Sequence, residues 1–207
     1  MLQATKKQIK THKGIYRLAK KFRDTVRSIP YTLQALKPKQ NNHNLMLGYS
    51  GKVERWITFD IVPGADYLGD IRNLELFKSN SMNKVYASHV LEHVNCDEAL
   101  IVIKEVHRVL KPGGIFFVAV PDLVNISNLL KTEYAETAID IIFGVNRPVS
   151  EFYPQHKYGY TKELLEKKIV EAGFVDIAEF EPFLDDTSLK QVGTVQVSIC
   201  LSGRKKG

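Results

Sequence analysis

Near the middle of the chain, titratable residues fall at spacings that allow them to cooperate. His89, Glu92 and His93 stand at i, i+3 and i+4, which on a helix gathers them on one face. His156 lies further on, in an aromatic-rich stretch. Imidazole changes charge near neutral pH and suits removal of a proton from an attacking nucleophile. His89, His93 and His156 are therefore the candidate catalytic residues, with Asp122 as an orienting carboxylate. Two imidazoles and a carboxylate are also metal-ligand types. No fourth ligand is evident from the spacing, helix capping and packing are the favoured roles, and no metal is assigned.

A second set of polar residues follows the apolar runs one by one. Gly48-Tyr49-Ser50-Gly51 comes after residues 45–47, Asp60-Ile61 after 56–59, and Asp70-Ile71 after 65–68. Ser88-His89 follows 85–87, and Pro121-Asp122 follows 115–120. A glycine turn lets a ligand come close to the backbone. A carboxylate at a strand end can accept both hydroxyls of a ribose, and Asp70 falls where an adenine edge would lie. In an open α/β sheet, ligands bind beyond the carboxyl ends of the strands. One nucleoside cofactor accounts for the whole set.

The elements that must position these residues alternate between strand and helix. The apolar runs at 45–47, 56–59, 65–68, 85–87 and 115–120 read as buried strands. After Asn95, a capping residue with Glu98 three positions on, Leu100, Ile103, Val106 and Leu110 form a helical stripe. Lys111-Pro112-Gly113-Gly114 is expected to stop that helix and turn the chain. A helix is expected over 123–131 and another from Thr161 to Ala172. Two last strands are expected over 174–180 and 194–201. With no helical pattern between them, these two should be antiparallel. The predicted fold is a doubly wound, mostly parallel seven-stranded Rossmann-like sheet with an antiparallel final strand.

Charge divides the chain in two. Residues 1–39 carry 11 Lys and Arg against one acid, Asp24, whereas the remainder carries 18 against 22. The basic character thus belongs to an N-terminal extension, residues 1–40, ahead of a mildly acidic domain at 41–207. Ile15, Leu18, Phe22, Val26 and Ile29 predict an amphipathic helix in that extension. Its apolar stripe should pack on the domain, contact with an anionic surface being the minority alternative. Nucleic acid is not favoured as a partner, and the oligomeric state is left open. Two cysteines, Cys96 and Cys200, make no disulfide framework. With no signal peptide or membrane-spanning run in view, a cytoplasmic location is expected.

Several motifs carry a family resemblance. YASHVLEH spans residues 86–93, RVLKPGG spans 108–114 and VPD spans 120–122. With them go LMLG at 45–48, WITFDI at 56–61, PGADYLGDI at 63–71, HKYGYT at 156–161 and EAGF at 171–174. Over roughly residues 44–205 the chain resembles the class I S-adenosylmethionine-dependent methyltransferases, in particular a small bacterial-type branch. The resemblance implies S-adenosylmethionine as cofactor and S-adenosylhomocysteine as product. It places Gly48, Tyr49, Ser50 and Gly51 under the methionine part, Asp60 and Ile61 at the ribose, and Asp70 and Ile71 at the adenine. Ser88 and His89 would complete the pocket. It also implies methyl transfer to a hydroxyl or similar nucleophile on a small molecule or saccharide. The family's turn has a second glycine where this chain has Ser50. That departure keeps a second reading open: a methyltransferase-like binding or scaffolding protein without turnover. A nicotinamide enzyme is disfavoured, because no GxGxxG follows the first strand.

Overall fold

Successive side chains along the strands pack into separate cores on the two faces of one sheet. A computed structural model describes residues 43–144, 155–184, 186, 188 and 190–207. The predicted helix at 15–29, with the rest of the N-terminal extension, lies outside these residues. The strands are β1 (Asn44–Leu47), β2 (Ile57–Asp60), β3 (Tyr67–Leu68), β4 (Met82–Ser88), β5 (Leu110–Pro121), β6 (Phe174–Glu179) and β9 (Ser198–Lys205). They form a seven-stranded sheet in the order β3-β2-β1-β4-β5-β9-β6. β9 runs antiparallel to both β5 and β6, and the pairs from β3 through β5 are parallel. A two-stranded hairpin, β7 (Gln191–Val192) and β8 (Val195–Gln196), precedes β9.

Four helices accompany the sheet among the described residues: α1 (Cys96–Val109), α2 (Leu123–Leu129), α3 (Ala135–Phe143) and α4 (Lys162–Glu171). On one face, Leu45, Leu47, Phe59, Val85, Phe116 and Val118 pack in one cluster with Val102, Ile103 and Val106 of α1 and Leu165 and Ile169 of α4. On the other, Met46, Trp56 and Tyr86 pack with Phe117, Phe180 and Leu184. The second core is aromatic and is closed by the segment after β6, not by a helix, among the described residues. α2, α3 and the hairpin make a satellite cluster around Ile126, Leu129, Ala138, Val192 and Val197.

Three local expectations need correction. Lys111–Gly114 does not leave the sheet as a turn. It lies within the span of β5, where Met82 pairs with Leu110 and Lys84 already pairs with Ile115. The four residues are an irregular insertion between those pairs, with Gly113 at φ 79°. The last strand is Ser198–Lys205, shifted towards the C-terminus from the expected 194–201. Its charged end is held by partners. Arg204 pairs with Asp176, and Lys205 Nζ donates to the carbonyls of His107 and Leu110 at 2.7 and 2.8 Å. α3 was not expected: Ile139 and Phe143 are exposed, which blurs its apolar stripe.

No helix links β3 to β4 among the described residues; the connection is a loop over 71–81, and Arg108 fastens it. Its guanidinium donates to the carbonyls of Leu74 and Phe77 at 2.9 and 3.0 Å and pairs with Glu105 at 2.7 Å. Glu105 in turn accepts from the Leu74 N–H at 2.9 Å. Truncation to Ala strands two partly buried carbonyls, and each group left without a partner costs about 1–3 kcal/mol. Arg108→Ala is expected to lower unfolding free energy by about 1–3 kcal/mol in urea denaturation, with the m-value unchanged.

Candidate active site

The parallel strands end on the same side, so their terminal residues converge there. A cleft of about 570 Å³, open mouth included, is lined by Gly48, Asp60, Ile61, Asp70, Ile71, Arg72, His89, Val90, His93, Val94 and Lys157. Of the residues expected to hold a cofactor, Gly48, Asp60, Ile61, Asp70, Ile71 and His89 line it. Tyr49, Ser50, Gly51 and Ser88 do not. Ser88 Oγ donates to Asp186 at 3.1 Å. Asp122 lies elsewhere and caps α2, accepting from the Val124 and Asn125 N–H groups. Val90, Val94, Arg72 and Lys157 carried no signal of their own in the sequence.

Gly48 turns the chain at the end of β1. Its φ is 73°, and its N–H donates to the Phe59 carbonyl at 2.8 Å. A Cβ there would stand 2.5 Å from Val90 Cγ2, so only glycine allows the β1 and β4 ends to close up. Ser50 is not among the described residues with left-handed φ, so a side chain at that position needs no strained backbone. The missing second glycine is therefore not a backbone defect.

Asp60 ends β2 and is 4% exposed. One oxygen, Oδ1, accepts from the Val62 N–H at 3.1 Å. The other, Oδ2, is buried with no hydrogen-bond partner among the described residues. Burial pushes this carboxyl above its ordinary value, against the Val62 and Ile61 N–H groups and His93. Asp70 is placed differently, its carboxylate taking Arg72 Nε at 2.8 Å. Arg72 also reaches Glu98.

The three candidate histidines meet around a fourth residue. β4 ends at Ser88, and His89 takes a left-handed φ of 50° before a short 3-10 turn, Leu91–His93. His89 is thus not on a helix with Glu92 and His93, as the spacing had implied. The tight turn nevertheless brings its Nδ1 3.5 Å from Glu92 Oε1. His156 Nε2 lies 3.8 Å from the same oxygen, and its ring sits edge-on to His93 with centroids 4.8 Å apart. Glu92 is 1% exposed. Burial pushes its carboxyl up, but the three histidines outweigh this and hold it below the usual range. Burial lowers His156, with Glu92 opposing. The structure makes Glu92 the hub of the cluster; in the sequence only its spacing from His89 and His93 marked it.

The aromatics of the 134–160 region stay out of the cleft lining where they are described. Tyr134 packs on the satellite core, and Tyr158 and Tyr160 pack on the main one. Phe152 and Tyr153 lie outside the described residues.

Comparison with known proteins accords with this geometry. The family model described as "Methyltransferase domain" matches residues 46–118. That span runs from Met46 in β1 to Val118 in β5 and contains Asp60, Asp70, His89, Glu92 and His93. Residues 46–118 thus match a methyltransferase domain, and the sheet has a Rossmann-like methyltransferase fold. A SAM-dependent methyltransferase structure from Methanosarcina mazei aligns with a TM-score of 0.55 at 16% identity, covering 86% of this chain and 98% of that one. One from Thermotoga maritima aligns at 0.51 and 18% identity, covering 93% and 98%. One from Archaeoglobus fulgidus aligns at 0.52 and 15%, covering 81% and 87%. At these identities the structures speak for the fold. No curated protein matches in sequence. S-adenosylmethionine is the cofactor that the sequence resemblance implies. The residues present suit it: the buried free oxygen of Asp60 calls for a hydroxyl donor, and Gly48 leaves open the space a Cβ would fill.

Gly48→Ala tests that packing. A left-handed Ala costs about 1–2 kcal/mol, and displacing Val90 costs about 1–3 kcal/mol more. The variant is expected to melt several degrees lower in calorimetry and to bind S-adenosylhomocysteine at least tenfold more weakly.

Proposed function

We propose that this chain is an active methyltransferase whose acceptor is a hydroxyl, or a similar nucleophile, on a small molecule or saccharide. The observation that carries this is the pairing of two different carboxylates at one cleft. Asp60 offers a buried, unfilled acceptor oxygen suited to ribose hydroxyls. Glu92 sits among three imidazoles on the side of the cleft where His89 and His93 are exposed to it.

The bound cofactor supplies an electrophilic methyl on a sulfonium sulfur. The protein's own groups do the rest. Gly48 and Ile61 give close apolar walls, Asp60 orients the ribose, and Asp70 and Ile71 flank the adenine. Holding the two reactants in line converts a bimolecular encounter into an effectively unimolecular step. A hydroxyl is a poor nucleophile until its proton is taken, and the cluster of His89, Glu92, His93 and His156 is the group at this cleft able to take it. An amine acceptor already nucleophilic as the free base has less need of such a cluster. Saccharide as a class rests on the family resemblance and not on a contact. The binding-module alternative drew on Ser50, and that residue neither strains the turn nor lines the cleft.

Calorimetric titration with S-adenosylmethionine and S-adenosylhomocysteine tests the reading. Micromolar or tighter binding is expected. Asp60→Asn keeps the shape and removes the buried charge, so the melting temperature should hold or rise. Affinity should fall at least tenfold, because hydrogen bonds to a charged acceptor contribute about 1.5–3 kcal/mol. Absence of binding to either compound removes the enzyme reading, and an unchanged affinity in Asp60→Asn removes Asp60 from its role.

A further inference from the structure

We propose that Glu92, His93 and His156 form a binding site for a divalent transition metal ion of the zinc class, with His89 as an adjoining donor. The site itself stands on the cluster's geometry; only its use in catalysis rests on the methyltransferase reading. No ligand beyond His89, Glu92 and His93 was evident in the sequence. The fold supplies it, bringing His156 from the far side of α3 to the turn after β4.

Three donor atoms, one from each residue, lie within 4.8 Å of one another. Both oxygens of Glu92, and Nδ1 of His93, are buried without a hydrogen-bond partner among the described residues. Buried polar groups nearly always have partners, and a buried carboxylate without one is costly. Carboxylate oxygens and an imidazole nitrogen all offer lone pairs, and one ion can serve such unpartnered groups together. The distances separate a proton from a metal ion. His89 Nδ1 and His156 Nε2 stand 3.5 and 3.8 Å from Glu92 Oε1. A charge-assisted N–H···O contact closes to about 2.7–2.9 Å. A tetrahedral ion with bonds of about 2.0–2.1 Å spaces its ligand atoms by roughly 3.4 Å. The two separations from Glu92 Oε1 are close to the edges of such a polyhedron and longer than a charge-assisted hydrogen bond, and the three ligand residues span up to 4.8 Å before an ion draws them in.

The surroundings hold the donors in place. His89 Nε2 is 2.9 Å from Ser198 Oγ, the kind of outer contact that fixes a ligating imidazole with its other nitrogen free. The His89 N–H donates to the Ala119 carbonyl at 2.9 Å, fixing the left-handed residue. Strained backbone of this kind concentrates at functional sites. The Glu92 carbonyl accepts from the N–H groups of Lys157 and Tyr158 at 2.8 and 3.2 Å, and the His156 N–H donates to the Phe143 carbonyl at 3.1 Å. Gly144, at φ 73°, leaves room for His156: a Cβ there would come within 2.9 Å of the imidazole Cδ2. Imidazole with a single carboxylate favours zinc-like ions over magnesium or calcium, which prefer oxygen alone. His89 and His93 also line the cleft, so a remaining coordination position can take an oxygen of the acceptor. Such an ion favours loss of the acceptor's hydroxyl proton, which passes to a cluster imidazole that the ion leaves uncoordinated.

The full chain, stripped with a chelator and dialysed free of it, is titrated calorimetrically with zinc chloride and, separately, with magnesium chloride. One equivalent of zinc is expected to bind at submicromolar concentration, with magnesium at least a hundredfold weaker. Glu92→Gln and His156→Ala should each weaken zinc at least tenfold, while His43→Ala, an exposed imidazole at the opposite end of β1, should not. Zinc should also raise the melting temperature of the wild type and not that of Glu92→Gln. Should Glu92→Gln fail to fold, His156→Ala carries the comparison. Wild-type affinity in His156→Ala, loss of binding in His43→Ala, or no stoichiometric zinc binding overturns the proposal. Titrating the metal-free protein with S-adenosylhomocysteine reads the cofactor site separately, so failure of one reading does not imply failure of the other.

Discussion

A buried carboxylate with imidazoles near it but no close hydrogen bond sets terms for whatever surrounds it, and Glu92 occupies that position among the described residues. Its main chain and side chain act in different directions. The carbonyl draws in the segment that follows α3 by accepting two N–H groups. The carboxylate gathers imidazoles from the end of β4, from its own turn and from that same segment. Tyr160 adds to the latch, its hydroxyl 3.5 Å from the Leu91 carbonyl. Cleft wall and histidine cluster are therefore one structure. The segment bearing His156 cannot leave without freeing the hub, and the hub cannot be neutral toward its surroundings once the segment is in place.

Asp60 and Glu92 show how two similar acids on one rim take on different chemistry. Burial dominates at Asp60, which meets backbone N–H groups through one oxygen only. At Glu92 the neighbouring histidines overcome burial. Environments that push the pKa values of titratable groups apart mark out separate roles. Here the separation follows from topology. Asp60 leaves β2, whose end faces Gly48 and the β3 loop, whereas Glu92 sits beyond β4, where α1 begins and the later segment folds back.

The strands were legible because apolar runs buried on both faces need no periodicity, only length and a polar stop. The stripe of α1 was legible for the complementary reason: one of its faces is sealed against the sheet, and Asn95 with Glu98 marks its start. The convergence of Gly48, Asp60, Asp70 and His89 followed from strand order alone. What escaped is of a different physical kind. A left-handed residue such as His89 leaves no periodic trace, so three residues spaced for a helix looked helical. The last strand was misplaced because Arg204 and Lys205 look like a solvated tail until their acceptors, Asp176 and two α1-end carbonyls, are brought near. His156 was named as a candidate, but the main-chain bonds that bring it to Glu92 are not revealed by side-chain spacing.

The motifs that carry the family resemblance turn out to mix two functions. In residues 86–93, His89, Glu92 and His93 belong to the site, but Tyr86 is a fully buried member of the aromatic core. In residues 108–114, Arg108 never approaches the cleft lining; it replaces a helix by pinning a loop. Gly114 leaves room for the Lys111 and Asn83 carbonyls, which a Cβ would meet at 2.9 and 3.1 Å. Asp122 of the third motif caps a helix. A sequence stretch can thus be specific because the scaffold has few ways to close around a loop and not because it touches a substrate. The chemistry proposed for this cleft rests on a smaller set, and what unites that set is burial: polar atoms placed where water cannot serve them and where another partner can.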